Sequence, residues 1–125
     1  MILGIGIDLV DVRRMEGIIF RWQERFLRRI FTDVEIRYCN NKKNPAQRFA
    51  TRYAAKEAYF KALYPKGVEG ISFLDIEVLD EKGKKPTINL YGRVKTDAEA
   101  LKVNNTFLMI SHDGNYGIAN VVLEA

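Results

Sequence analysis

The sequence contains few of the residues that would cross-link the chain or anchor it in a membrane. Its 125 residues include one cysteine, one histidine and three prolines. A single cysteine cannot form an internal disulfide, so we expect Cys39 to pack in a helix rather than to act as a catalytic thiol. No apolar run approaches the roughly 20 residues of a membrane span, and there is no signal-peptide pattern. These absences predict a cytoplasmic protein that does not bind membranes.

The sequence does contain enough apolar material for one compact domain, together with an excess of positive charge. Hydrophobic residues make up 47% of the chain, and this length supports one core but not two, so we expect a single domain over residues 1–125. No internal repeat or linker divides it.

The formal net charge of +4 favours an anionic partner. The charge alone does not decide between nucleic acid, a membrane surface and an acidic protein.

One carboxylate stands out near the start of the chain. The segment from Met1 to Val10 is almost wholly apolar and predicts a buried strand, in which Gly4 and Gly6 allow another backbone to approach closely. Asp8 is the only ionisable side chain in this segment. A buried carboxylate is costly unless it is hydrogen-bonded, paired or bound to a cation, so Asp8 requires a partner. The alternative is that Asp8 caps the following helix.

A second group of charged residues lies on a predicted helix from Pro45 to about Leu63. Its charged side chains recur at helical spacing, which aligns them roughly along one side: Arg48, Arg52, Lys56, Glu57 and Lys61. Magnesium prefers one or two carboxylates together with phosphate oxygens and water, while cations neutralise the remaining phosphate charge. The pattern therefore suggests a metal–phosphate site. A simple surface pair of Glu57 with Lys61 is the alternative.

A basic stripe marks the predicted first helix, from about Asp11 to Ile30. At about 100° per residue, four of its arginines fall within roughly 60° of one another beside an apolar face: Arg14, Arg21, Arg25 and Arg28. Acidic residues are scarce in this helix, so the stripe suggests a docking surface for an acidic partner. An ordinary solvated helix face is the alternative reading.

The remaining pattern completes an α+β domain with an antiparallel sheet packed against helices. Thr32 and Glu35 form a capping box that begins a helix ending near Asn40. Strands are predicted at 75–79 and 87–91, joined through residues 80–86, and a helix at 93–102. A hairpin follows, with strands 106–112 and 116–124 around a turn at 113–115. The first and last strands are apolar on both faces in places, which suggests burial in an oligomer.

The two charged motifs resemble those of the 4'-phosphopantetheinyl transferase superfamily. Gly6 to Asp8 matches a Gly-[Ile/Val]-Asp element, and Tyr53 to Lys61 matches an aromatic-x-x-Lys-Glu-x-x-x-Lys element. Chain length and the segments 30–36, 72–78 and 110–124 also resemble the short bacterial class, the holo-acyl-carrier-protein synthases. The resemblance covers nearly the whole chain. It implies the superfamily fold and a homotrimer that binds coenzyme A between subunits.

The resemblance also implies an activity: magnesium-dependent transfer of 4'-phosphopantetheine from coenzyme A to a serine of apo-acyl carrier protein, for fatty acid biosynthesis. It makes Asp8, Glu57 and Lys61 catalytic, with Mg²⁺ held by Asp8 and Glu57. The residues expected to contact coenzyme A are Arg52, Lys61, Pro86 and His112. The carrier protein is expected to bind Arg14, Arg21, Arg25 and Arg29. A lone histidine is more often structural, and only the resemblance of Ile110 to His112 to a third family motif gives His112 this role.

One segment departs from the family pattern. A Gly-rich turn usually follows the motif lysine, whereas the bulkier segment from Ala62 to Gly67 stands here.

Two other classes of protein stay open from the residues alone. A basic nucleic-acid-binding module would use the arginine stripe but would leave Asp8 unexplained. A magnesium-dependent nucleotide hydrolase would use the same carboxylates with water as the acceptor.

Overall fold

The structure is a computed structural model that describes residues 1–80 and 83–125. Residues 81 and 82, in the predicted connection between two strands, lie outside the described residues. The elements follow in the order β1 (Ile2–Asp11), α1 (Val12–Trp22), α2 (Glu24–Ile30), α3 (Asp33–Asn40), α4 (Pro45–Leu63), a 3-10 turn (Phe73–Asp75), β2 (Ile76–Leu79), β3 (Thr87–Leu90), α5 (Gly92–Ala100), β4 (Asn105–Asp113) and β5 (Tyr116–Glu124). The α+β prediction is confirmed. None of these helices is long and apolar enough to cross a membrane.

The strands divide into two antiparallel sheets. One has the order β1-β5-β4, and the other pairs β2 with β3. The predicted hairpin joins β4 to β5 through a two-residue turn at Gly114 and Asn115, one residue shorter than expected. Gly114 has a φ of 57°, the left-handed conformation that glycine adopts without steric cost at the first position of such a turn.

Helix α4 is the central element, and β1 lies directly against it. A Cβ atom on Gly4 would collide with the carbonyl oxygen of Ala62, and one on Gly6 would collide with that of Ala58. The strand and the helix therefore meet backbone to backbone, as the two glycines predicted. This close approach fixes the position of β1 relative to α4.

Two apolar clusters pack against different parts of α4. The first joins α4 to the sheets and α5, and includes Tyr59, Ile76 and Val94. The second joins the N-terminal part of α4 to α1, α2 and α3, and includes Phe31 and Cys39. Cys39 is fully buried, and burial raises the pKa of its thiol to about 12. This confirms that Cys39 packs in the core, and a thiol with so high a pKa is inert at neutral pH.

The predicted single helix from Asp11 to Ile30 is wrong, because the structure has two helices separated at Gln23. Gln23 has a φ of 48°. Its backbone N–H donates to the carbonyl oxygen of Ile19 and ends α1, and its own carbonyl oxygen accepts the first hydrogen bonds of α2. In one continuous helix Leu27 would lie about 120° around the axis from Met15. The break allows both side chains to enter the second cluster. The 60° arginine stripe therefore does not continue from α1 into α2.

One face of β1 is exposed, contrary to the expectation of a buried strand. Ile5, Ile7 and Leu9 are 62%, 56% and 60% exposed, and Phe107 and Met109 of β4 are 52% and 66% exposed. Side chains alternate along a strand, so only the face that carries Gly4, Gly6 and Asp8 lies against α4. The other face of this sheet is an apolar surface in the single chain.

Candidate active site

Asp8 lies on the face of β1 that contacts α4. It is paired across the sheet with Ala119 of β5, and its side chain is 17% exposed. The alternative that Asp8 caps the following helix is wrong. Asp11 is the N-cap of α1, and its side chain accepts hydrogen bonds from the backbone of Arg13 and Arg14. Asp8 is therefore free for another role.

Lys61 of α4 is the partner of Asp8. Its Nζ donates to Asp8 Oδ1 at 2.9 Å and to the Ile7 carbonyl oxygen at 3.0 Å. The side chain is 54% exposed, so its ammonium group also meets solvent. The ion pair of Lys61 thus joins α4 to β1. The alternative of a simple surface pair between Lys61 and Glu57 is wrong, because Lys61 pairs with Asp8. The structure brings together two residues that are far apart in the sequence.

Glu57 lies one helical turn before Lys61 and is half-buried. Burial raises the pKa of Glu57 above its ordinary value, and the negative charge of Asp8 raises it further. A hydrogen bond from Tyr53 and the positive charge of Lys61 oppose these effects. The two carboxylates are therefore close enough to repel each other. Such a pair is stabilised by a cation or by a proton on one of its members.

Tyr53 completes this group and was missed as a site residue. Burial and the neighbouring Glu57 raise the pKa of Tyr53 to about 12, so the hydroxyl keeps its proton and donates to the carboxylate. The ring stacks on Phe73 at 5.4 Å between centroids. The four-residue spacing of Tyr53 and Glu57 on α4 was the signal available in the sequence.

Glu57 stands between a cleft and a groove. The cleft, of about 350 Å³, is also lined by Asp8, Asp11, Arg14, Ile18, Phe26 and Tyr53. The groove, of about 300 Å³, is also lined by Phe60, Lys61, Tyr64, Val68, Ile71 and Phe73. Two molecules that enter from the two sides would meet at Glu57. Tyr64, from the segment that departs from the family pattern, lines the groove. Its hydroxyl donates to Asp97 Oδ2 at 2.6 Å.

The predicted alignment of the charged side chains along one side of α4 is wrong, because Lys56 points into the protein. Its Nζ lies 2.7 Å from Glu35 Oε1 and 2.6 Å from the Ile30 carbonyl oxygen, and both charged side chains are fully buried. Glu35 also accepts from the backbone of Thr32 and Val78. Consecutive residues on a helix point about 100° apart, so Lys56 and Glu57 face different surroundings.

A separate cavity of about 230 Å³ brings together three of the residues predicted to contact coenzyme A: Arg52, Pro86 and His112. His112 Nδ1 lies 3.2 Å from Gln47 Nε2. Arg52 is 1% exposed, and its guanidinium donates to Asp80 Oδ2 at 3.3 Å. Its Nε is buried and has no hydrogen-bond partner among residues 1–80 and 83–125. Lys61, the fourth residue of this predicted set, lies instead beside Asp8.

The predicted docking arginines are divided by the break at Gln23. Arg14 and Arg21 are on α1, and Arg25 and Arg29 are on α2; all four are exposed. Arg14 lines the cleft beside Asp8 and Glu57. Arg28, which completed the predicted stripe, pairs with Glu24 and Asp33, each at 3.1 Å. Part of the basic surface is therefore balanced within the chain.

Comparison with known proteins identifies the family. Residues 4–121 match the model of the 4'-phosphopantetheinyl transferase superfamily. The chain is 44% identical over 124 residues to the holo-[acyl-carrier-protein] synthase of Koribacter versatilis, covering 99% of both chains. It is 41% identical to that of Geobacter metallireducens, covering 99% of this chain and 98% of the relative.

Solved structures show the same fold. The holo-[acyl-carrier-protein] synthase from Neisseria meningitidis superposes with a TM-score of 0.89 at 29% identity, covering 100% of both chains. The Helicobacter pylori enzyme, solved in complex with coenzyme A, superposes with a TM-score of 0.82 at 33% identity, covering 96% of this chain and 99% of that one. The chain therefore belongs to the 4'-phosphopantetheinyl transferase superfamily and, within it, to the holo-[acyl-carrier-protein] synthases.

Proposed function

We propose that this protein transfers the 4'-phosphopantetheine group of coenzyme A to a serine of apo-acyl carrier protein and releases adenosine 3',5'-bisphosphate. The proposal rests on one observation in a chain of this family. Asp8, Glu57 and Lys61 lie together between a cleft and a groove. A reaction in the cytoplasm that serves fatty acid biosynthesis is part of the same proposal.

The donor groups of the site fit a magnesium ion. Asp8 and Glu57 supply hard carboxylate oxygens. Burial raises the pKa of Glu57 most, and the negative charge of Asp8, which a cation would balance, raises it further. Among the described residues no group of three or more His, Cys, Asp or Glu side chains could hold a metal. Two carboxylates with phosphate oxygens and water are the ligand set that Mg²⁺ prefers. When bound, the ion would offset negative charge on the pyrophosphate of coenzyme A.

Glu57 is suited to take the proton of the acceptor serine. Its pKa is raised toward neutrality by burial and by Asp8, which makes it a stronger base than an exposed carboxylate. The hydroxyl of Tyr53 donates to Glu57 and orients it. The serine oxygen then forms a bond to the β-phosphorus as its proton passes to Glu57, and the bond from that phosphorus to the bridging oxygen breaks.

Lys61 is suited to the leaving group. The bridging oxygen leaves with the α-phosphate and gains negative charge as the bond breaks. The Lys61 ammonium, which is half-exposed and held by Asp8 and by the Ile7 carbonyl, can stabilise that charge or donate a proton to it. The products are adenosine 3',5'-bisphosphate and a carrier serine joined to phosphopantetheine.

We propose two further binding surfaces in addition to this centre. We assign the nucleotide end of coenzyme A to the cavity of Arg52, Pro86 and His112, together with Lys61 at the pyrophosphate. Because Arg52 is already bonded to Asp80, a phosphate in this cavity would compete with that carboxylate. We assign the carrier protein to the arginines of α1 and α2, and the position of Arg14 in the cleft supports that assignment.

We also propose that the protein is a homotrimer. The observation in support is the exposed apolar face of the β1-β5-β4 sheet, where Ile5, Ile7, Leu9, Phe107 and Met109 are each more than half exposed. Exposed apolar side chains that cluster on one face in this way mark a contact surface. Sedimentation velocity should give three times the mass of the chain, and Ile7→Lys should reduce it to that of a single chain.

The first experiment combines the protein with magnesium, coenzyme A and an apo-acyl carrier protein and weighs the carrier by intact-protein mass spectrometry. We expect the carrier to gain the mass of one phosphopantetheine group, and the gain to disappear with a chelator. Release of adenosine 3',5'-bisphosphate without modification of any carrier would instead indicate hydrolysis and would refute the proposed transfer.

A further inference from the structure

The groove that Glu57 shares with Lys61 continues along α4 as far as Tyr64. These three residues follow one another at intervals of four and three positions, so they lie on one face at the C-terminal end of α4. The groove therefore extends about 10 Å along the helix from Glu57. Its other lining residues are mainly apolar: Phe60, Gly67, Val68, Ile71 and Phe73. The structure thus joins an apolar groove to the charged residues of the candidate site.

Two residues of α5 hold Tyr64 and the loop that follows it. The Tyr64 hydroxyl donates to Asp97 Oδ2 at 2.6 Å, and the same oxygen lies 3.3 Å from Arg93 Nε. Arg93 Nη1 also donates to the Glu69 carbonyl oxygen at 2.7 Å. Hydrogen bonds to charged groups are roughly twice as strong as neutral ones, and these contacts attach both ends of residues 64–69 to one helix. The Tyr64 ring is therefore a fixed part of the groove wall.

The proposed chemistry directs the pantetheine arm of coenzyme A into this groove. In a phosphoryl transfer the attacking and leaving oxygens lie roughly in line through the phosphorus. The arm stays bonded to the β-phosphorus throughout, so it must extend to one side of that line. When the acceptor serine enters from the cleft, the groove is the second space that Glu57 lines among the described residues. The methyl and methylene groups of the arm match its apolar lining.

The volume of the groove limits what the arm can carry on its sulfur. Pockets that enclose a ligand of drug size have volumes of about 300–1,000 Å³, and this groove, of about 300 Å³, is at the lower end of that range. The pantetheine arm is itself a ligand of this size, so little space remains beyond its thiol. Among the α4-side residues of the groove, Tyr64 lies farthest along the chain from Glu57, and it belongs to the segment that departs from the family pattern.

We propose that Tyr64, held by Asp97, sets the donor selectivity of this protein: it admits coenzyme A and excludes coenzyme A thioesters of long acyl chains. The inference rests on the proposed function, because the arm reaches the groove only from a β-phosphate at Glu57 and Lys61. A thioester donor would react at the same bond. The serine oxygen would bond to the β-phosphorus, the bridging oxygen would leave with adenosine 3',5'-bisphosphate, and the thioester would pass unchanged to the carrier. A long acyl chain would have to displace the Tyr64 ring and break its bond to Asp97.

Tyr64→Ala tests the proposal with two donors, coenzyme A and decanoyl-coenzyme A, the second kept below the concentration at which it forms micelles. Intact-protein mass spectrometry of the carrier separates the two products by mass. In the parent we expect kcat/KM for decanoyl-coenzyme A to be at least about tenfold below that for coenzyme A, since a single methylene group too many in a pocket can cost this much. Tyr64→Ala should raise the ratio of the two values roughly tenfold. Tyr64→Phe keeps the ring but loses the bond to Asp97, so it should raise the ratio by a smaller factor.

Leu101→Ala is the control, because it shortens an exposed apolar side chain at the end of α5 that does not line the groove. Its ratio should equal that of the parent. A variant that is only less stable loses activity with both donors alike, so the ratio separates selectivity from stability. A parental ratio near one, or an unchanged ratio in both Tyr64 variants, would overturn the inference. A parent that modifies the carrier with neither donor would refute the proposed function instead.

Discussion

Lys56 and Glu35 form an ion pair that is closed off from solvent, with Nζ 2.7 Å from Oε1 and no exposed side-chain surface on either residue. The Lys56 ammonium also reaches the carbonyl oxygens of Ile30 and Phe73. It therefore joins α4 to the end of α2 and to the 3-10 turn before β2. The next residue, Glu57, points into the active-site cleft. Adjacent residues of one sequence motif thus face different surroundings: Lys56 holds elements of the fold together, whereas Glu57 lines the cleft, where we propose that it acts as the base.

Removal of one partner of this pair should strongly destabilise the fold. Glu35→Ala leaves the Lys56 ammonium buried without its counter-ion, and breaking a buried pair in this way costs about 3–5 kcal/mol. Urea denaturation at a fixed protein concentration measures the free energy of unfolding. Glu24→Ala, which breaks the exposed pair with Arg28, is the control and should cost less than about 1 kcal/mol. Equal losses would contradict the structural role of Lys56.

The titration of Glu57 should depend on Asp8. Burial raises the pKa of Glu57 most, and the Asp8 charge adds to it. In Asp8→Asn the charge is gone while the burial stays, so the midpoint of the Glu57 titration should fall. Carbon-13 NMR of the carboxyl group measures this directly in the free protein. An unchanged midpoint would mean that the two carboxylates do not interact.

Glu57→Gln should abolish transfer and preserve the fold. The amide keeps the shape of the side chain but cannot accept the serine proton, so we expect the turnover rate to fall by about 10² to 10⁴. The free energy of unfolding should be equal or higher, because a charged group no longer has to be buried. Glu69→Gln, at an exposed loop position, should keep full activity. Near-normal turnover in Glu57→Gln would exclude its role as the base.

Gly6→Ala should destabilise the protein and disturb the site together. The added Cβ collides with the carbonyl oxygen of Ala58 in the backbone of α4, and overpacking of this kind costs about 1–3 kcal/mol or more. Asp8, two residues along β1, would shift with the strand and reduce transfer. Gly17→Ala adds the same methyl group in open space and should gain about 1 kcal/mol. Chemical denaturation and the mass-spectrometric assay separate the two effects.

Arg25→Glu should weaken binding of the carrier protein with little effect on coenzyme A. Reversal of one charge at a docking surface slows association with an acidic partner, so the KM for the carrier should rise several-fold and the loss should shrink at high salt. Arg37→Glu makes the same change of net charge on α3, where Arg37 is also exposed. If both variants lose the same affinity, the effect is one of overall charge and the docking site lies elsewhere.

Local patterns in the sequence predicted much of the fold. The bounds of α4 and the capping box of α3 followed from Pro45, Thr32 and Glu35, because caps and helix-opening prolines act within one turn. The approach of β1 to α4 followed from Gly4 and Gly6. These features depend on residues close in sequence or on backbone sterics, which a single sequence displays directly.

Other features depended on long-range packing and were not predictable from local patterns. No glycine or proline in the sequence indicates the break at Gln23. The break allows Leu27 to reach the same cluster as Met15. The burial of Lys56 depends on Glu35, a residue 21 positions away. At the candidate site, the pairing of Lys61 with Asp8 spans 53 positions. The residue types suggested a shared metal–phosphate site, and the resemblance to a family decided between that interpretation and its alternatives.

The backbone contact between β1 and α4 has a consequence for how this protein can change over time. Asp8, Glu57 and Lys61 are held in place by main-chain atoms that meet at two glycines and two alanines, not by interlocking large side chains. Substitutions elsewhere in the two apolar clusters can therefore accumulate without moving the three charged groups relative to one another. A lineage can alter α1, α2 and its core, while the spacing of Asp8, Glu57 and Lys61 is inherited with the crossing of one strand over one helix.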